Sequence, residues 1–266
     1  MFESGDPELD AASQEARETF KHFWRELSWE ARRIVPGLSM AAIKVPFTDG
    51  DTEREGPSQE HMWGDDVAYD GIEIRGTLLN QPNWLRNVSE GDAVETTLAE
   101  ITDWMYCCSA FAGNEVFGGY TVNLMRARMD PLERRAHDKA WGMTFGDPNV
   151  IQLVPQKKEE KRGFLARIFG PKESVAPAGP PVEHPMCVNM GPSLRENLEA
   201  STESISYIDE DGWSMLHREA LAGNLTVIQL LLEYGADRDQ KTPAGRTALD
   251  LAKILKWDHV IAALQD

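Results

Sequence analysis

The stretch DGWSMLHREALAGNLTVIQLLLEYGAD, residues 211–237, decides the fold of the last quarter of the chain. Gly223 and Gly235 stand where helices must stop, at C-cap positions where a residue without Cβ turns left-handed at least cost. Aligned on itself, the tail repeats: Gly212 with Gly245, Ser214 with Thr247 and Leu216 with Leu249, each pair 33 residues apart. A unit of this length cannot bury its own apolar face and has to stack on a neighbour.

Period and residues together resemble the ankyrin repeat. The likeness covers residues 207–266: a Thr-Pro-Leu-His-type helix start at Ser214–His217, an Ala-Gly-Asn turn at 222–224, and the Leu-Leu-x-x-Gly-Ala-Asp ending at 231–237. GRTALDLAKILKWDHVIAAL resembles a second repeat. Two departures stand out. Ser214-Met215 replace Thr-Pro, and Arg218-Glu219 put charge where the family has Leu-Ala. Two repeats fall short of the ~3 that bury a continuous core. Either the helix opened by the capping box Ser193 to Glu196, running to about Ala200, caps them, or they lean on the rest of the chain. The resemblance implies a noncatalytic scaffold that offers its hairpin tips and inner helix faces to another protein. The tip residues Arg238, Asp239, Gln240, Lys241 and Thr242, with Trp213 nearby, would face that partner; the alternative is a set of solvated turn residues. His217 is expected to hydrogen-bond within its turn.

The 266 residues exceed what one hydrophobic core organises, so two domains are expected. Asp6-Pro7-Glu8 supplies an N-cap and a first-turn proline, and Ala12, Ala16, Phe20, Phe23, Trp24, Leu27, Ala31 and Ile34 then follow at helical spacing up to Pro36-Gly37. From Met40 to Met129 the period shortens to two. AAIKVPF, EHMWGDDVAYD, EIRGTLLN, GDAVETTL and GYTVNLMRAR read as five strands, with a hairpin turn at Tyr69-Asp70-Gly71; LAEITDWMY fits helix or strand. Asp130-Pro131 with Glu133 opens a helix to about Gly142. A stretch rich in proline and small residues, VAPAGPPVEHP, marks a linker. The expected architecture is α+β: an N-terminal helix on a curled antiparallel sheet over residues 1–150, a linker over 151–190, then a capping helix and two repeats over 191–266.

The first 150 residues resemble the bacterial YegJ-like domain of unknown function, through ETFKHFWRELSWEARRIVP, VPF, EHMW, NQPNWL, GDAVETTLAEITDWMY and GGYTV. The resemblance extends to members that join this part to a short ankyrin tail, and it brings no activity. Trp104-Met105-Tyr106 also resembles a tripeptide of one class of toxin-immunity domains.

A net charge of −17, from 44 acidic and 27 basic residues, repels phosphate backbones and argues against nucleic acid. No apolar run reaches the ~18 residues of a membrane span, and the acidic start lacks the marks of a secretory signal, so a cytoplasmic protein is expected. Cys107, Cys108 and Cys187 have no metal-site spacing and read as reduced thiols. Nucleophile-elbow, zinc-helix and phosphate-loop motifs are absent, and neither cofactor nor metal is expected. The best cluster for chemistry is His61, Trp63, Asp65 and Asp66 with Asp103, Trp104 and Tyr106, a candidate pocket in which an imidazole beside carboxylates could move protons; solvated loop residues are the plainer explanation. A basic segment, KKEEKRGFLARIFGPK, places Phe164, Leu165, Ile168 and Phe169 on one helical face. It resembles membrane-targeting helices at the ends of bacterial cell-division ATPases, which implies weak peripheral membrane contact. The expected function is noncatalytic binding of another protein through the tail. The rivals are a membrane-tethered adaptor, a toxin-immunity-like binder and an enzyme with its pocket around His61.

Overall fold

The computed structural model describes residues 6–50, 59–109, 114–155 and 180–266. Helix α1 (Pro7–Glu30) starts where the Asp6 carboxylate accepts the Glu8 N–H and Pro7 takes the first turn. It stops short of the expected Ile34 because the Glu30 carboxylate accepts the N–H groups of Gly37 and Leu38 and swings the chain into the sheet.

The sheet is antiparallel and open: β1 (Leu38–Phe47), β2 (Glu60–Tyr69), β3 (Glu73–Leu78), β4 (Ala93–Thr97), β5 (Asp103–Cys108) and β6 (Glu115–Gly118), ordered β4-β3-β2-β1-β5-β6. The aromatic stripe of α1 lies across one face. Phe20 meets Tyr69 edge-on, Phe23 packs on Trp104, and the Trp104 indole donates to the Ala16 carbonyl at 2.8 Å. The other face carries a smaller cluster of Met105, Cys107 and Val116 under Trp141, Met143 and Phe145.

One open reading of the sheet is resolved and one expectation needs correction. LAEITDWMY, undecided by pattern, contributes β5; all six of that strand's residues are buried, which erases the alternation of a half-exposed strand. GYTVNLMRAR, expected as the fifth strand, is helix α2 (Tyr120–Arg128). Its start is held from a distance: the fully buried Asp103 accepts the N–H groups of Tyr120 and Thr121 and the Thr121 hydroxyl, so an anion sits at the positive end of the helix. Helix α3 (Pro131–Trp141) follows with the expected Asp130–Glu133 capping box and closes at Gly142, φ 65°.

Among the described residues, six helices build the tail: α4 (Pro185–Ala200), α5 (Glu203–Ser206), α6 (Met215–Ala222), α7 (Leu225–Glu233), α8 (Ala248–Ile254) and, completing the second repeat, α9 (Asp258–Gln265). Helix α4 begins eight residues before the expected Ser193, because the His184 imidazole accepts the Met186 N–H and Pro185 occupies the first turn. It packs along α7. Ser214 and Thr247 form capping boxes with His217 and Asp250, so the repeat seen in the sequence is a repeat of helix starts. One continuous core joins α1, the sheet and the tail: Phe20, Ile43 and Tyr106 belong to the same buried cluster as Leu221, Leu251 and Trp257.

Candidate interaction surface of the tail

The inner helices of the repeats, α6 and α8, face the first domain. Gly71, at φ +85° in the turn between β2 and β3, lies so close that a Cβ there would sit 2.8 Å from Leu251 and 3.4 Å from Ile254. Above it runs a buried polar chain. The Trp29 indole donates to Asn224 Oδ1 at 3.0 Å, Asn224 Nδ2 donates to Glu219 at 2.7 Å, and Arg32 grips the same carboxylate at 2.7 and 3.3 Å. The Arg32 guanidinium lies 4.6 Å over the Trp29 ring, whose stacked neighbour at 5.2 Å is His184. Farther along α1, Lys21 and Arg25 lie over the Trp257 ring at 5.1 and 5.7 Å. The charged departures from the ankyrin pattern thereby gain a physical reason. Glu219 is the joint's carboxylate, and Arg218 pairs with Asp209 and Asp211 while covering Trp213 at 4.6 Å.

The six tail residues singled out by sequence divide by burial. Arg238, Asp239 and Lys241 project into solvent. Gln240 gives its carbonyl to His217 Nε2 at 2.9 Å; His217 Nδ1 accepts the Ser214 N–H, and burial holds the imidazole below its ordinary pKa, hence neutral. Thr242, 4% exposed, exchanges backbone and hydroxyl bonds with Arg246, and Trp213 is 6% exposed. Both serve the turn from within.

The candidate pocket on the sheet does not converge. His61 is exposed with Nδ1 3.1 Å from the Thr102 hydroxyl, and Trp63 shares its face, 5.5 Å from Lys44 Nζ. Although the residue is exposed, partial desolvation of the ring, aided by the Lys44 charge, depresses the His61 pKa. Asp103 is sealed under α2, with burial pushing its pKa up against the hydrogen bonds it accepts from Thr121. Trp104 and Tyr106 are buried and stacked on each other in the α1-side core, and the Tyr106 hydroxyl donates to the Leu153 carbonyl. Asp65 lines a separate cleft on the α1 side. The alternation along β5 is the cause: neighbours in a strand point to opposite faces. Phe164, Leu165, Ile168 and Phe169 lie outside the described residues. Among the described residues, no helix is long and apolar enough to cross a membrane, and no three His, Cys, Asp or Glu side chains cluster to hold a metal.

The chain matches known proteins in two places. The bacterial family DUF2314, described as an uncharacterized protein conserved in bacteria, matches residues 6–145, and the ankyrin repeat family matches residues 211–243. A protein of Neisseria meningitidis serogroup B named as an ankyrin repeat protein is 40% identical over 264 residues, 99% of this chain and 95% of its own length. The YegJ protein of Escherichia coli K12 is 35% identical over 83 residues, 31% of this chain and 47% of its own. Human palmitoyltransferase ZDHHC17 is 53% identical over 51 residues, 19% of this chain and 8% of its own.

Proposed function

Because the chain belongs to the bacterial family DUF2314 and carries an ankyrin repeat, we propose that it is a noncatalytic binding protein whose tail holds a protein partner on the outward side of its repeats. One observation supports this above others. The inner helices are already covered by α1 and the β2–β3 turn, while Arg238, Asp239 and Lys241 at the hairpin tip remain open. The tip is short and of mixed charge, which suits a polar protein surface. The chain's charge of −17 disfavours nucleic acid and anionic lipid. Three buried free thiols fit a reducing, cytoplasmic setting.

A photo-crosslinking residue placed in turn at Arg238, Lys241 and the exposed strand position Glu95 tests the reading in living bacteria. One discrete protein adduct at the two tip positions, missing at position 95, is the expected result. Adducts at all three, or at none, would remove the tip from consideration.

A further inference from the structure

The centre of the sheet is forked. β1 and β2 are paired only from Ile43–Gly64 to Phe47–Glu60. Before Ile43, β1 pairs with β5 alone; after Gly64, β2 pairs with β3 alone. Asp66 causes the parting. It sits at φ +51°, a left-handed conformation uncommon for a side-chain-bearing residue, within a register shift that bends β2 away. Between the strands opens a cleft of about 520 Å³, floored by Trp24 and Leu27 of α1 with Ala31 just past its end, and walled by Met40 and Ala41 on one side and Asp65 to Ala68 on the other.

This cleft has an unused strand edge. The Lys44 carbonyl accepts the Thr102 N–H beside β5, and the polar groups of an antiparallel strand alternate sides. Ala42 and Lys44 therefore face β5, while Ile43 and Ala41 face the β2 side. Ile43 finds Gly64 opposite, whereas Ala41 has the cleft. The cleft also has unused charge: among the described residues, Asp65 and Asp66 make no ion pair, and the Asp65 carboxylate accepts only its own backbone N–H. Burial and the neighbouring Asp66 charge raise the Asp65 pKa, as befits a carboxylate lacking a cation. On the floor, the Trp24 ring meets Tyr69 edge-on at 5.5 Å and offers the cleft an apolar surface.

We propose that the cleft receives an extended strand of a partner protein, its backbone pairing with the Ala41 edge, a lysine or arginine meeting Asp65 and Asp66, and small apolar side chains resting on α1. Strand addition to an open edge takes affinity from main-chain bonds and specificity from alternate side chains. A second copy of this acidic chain is the poorer occupant, since it brings like charge to a negative rim.

The test uses the full chain and two fluorescein-labelled decapeptides, one alternating valine with lysine and the other valine with glutamate. Binding is read by fluorescence anisotropy at 0.15 M salt, with amide hydrogen exchange read in parallel. The lysine peptide is expected to bind and to slow exchange at residues 38–42, and the glutamate peptide to leave both unchanged. D65N/D66N should weaken binding roughly tenfold. A41P, which removes an N–H aimed into the cleft, should abolish binding while the thermal midpoint, measured alongside, stays near that of the parent. Equal binding of the lysine peptide to the parent and D65N/D66N would reduce the effect to general attraction by an acidic protein and overturn the proposal. So would absence of binding at about 1 mM peptide, or protection of the same amides by dimerisation of the chain without peptide.

Discussion

Arg32 and Glu219 offer the sharpest test of the joint between the tail and the sheet domain. Their side chains are 30% and 4% exposed and meet in a two-pronged contact, with Asn224, fully buried, donating to the same carboxylate. Arg32→Ala strands a buried charge, which costs about 3–5 kcal/mol when nothing else satisfies it. The retained Asn224 bond places the loss near the lower limit, about 3 kcal/mol, or a midpoint drop of about 6–12 °C for a chain of this size. Glu219→Ala leaves a guanidinium that water already reaches in part, and one buried amide without its acceptor, for about 1–2 kcal/mol. The double variant has no stranded carboxylate, so its loss should be about 2–3 kcal/mol instead of the additive 4–5, a coupling of about 2 kcal/mol. Urea unfolding followed by tryptophan fluorescence measures all four proteins, and Trp29 lies within the network. Losses additive within about 0.5 kcal/mol, or a parent chain whose tail unfolds in a separate earlier step, would refute the joint.

Three further outcomes are expected. Gly71→Ala should lower the unfolding free energy by about 2–3 kcal/mol, combining left-handed strain with the clash on Leu251, whereas Gly91→Ala, at φ +88° with open space around it, should cost only about 1 kcal/mol; equal losses in urea melts would deny the contact. His22 is held to a pKa of about 3 by burial and the charges of Arg25 and Lys21, so it stays neutral in the fold while the unfolded chain takes up a proton below about pH 6.5. Its share of stability is whole above pH 6.5 and fades as pH falls toward 3, by up to about 1.4 kcal/mol per unit; His22→Leu should flatten the fall in urea midpoint between pH 6.5 and 5. Cys107, Cys108 and Cys187 are buried, and burial pushes the Cys107 thiol up to about 11, so iodoacetamide at pH 8 should label the native chain slowly and all three thiols promptly in urea.

Local signals carried much of this protein. The spacing of Gly212 and Gly245, the capping boxes at Ser214 and Thr247, and the proline after Asp6 and Asp130 act within a few residues of themselves, so their effects are legible wherever the rest of the chain goes. The α+β class and the antiparallel character of the sheet followed from such signals, and the strand order did not. What failed had its cause far away in sequence. Helix α2 depends on Asp103, 17 residues before Tyr120, and β5 is buried on both faces by elements that its own six residues cannot announce. The candidate pocket dissolved for a related reason: Asp103 and Trp104 are neighbours along the chain and strangers across the sheet. Arg218 and Glu219 looked like flaws in a repeat when read alone. Only the packed chain shows Glu219 as the partner of Arg32 across 187 residues, because a buried charge is specified by whatever the fold brings to meet it.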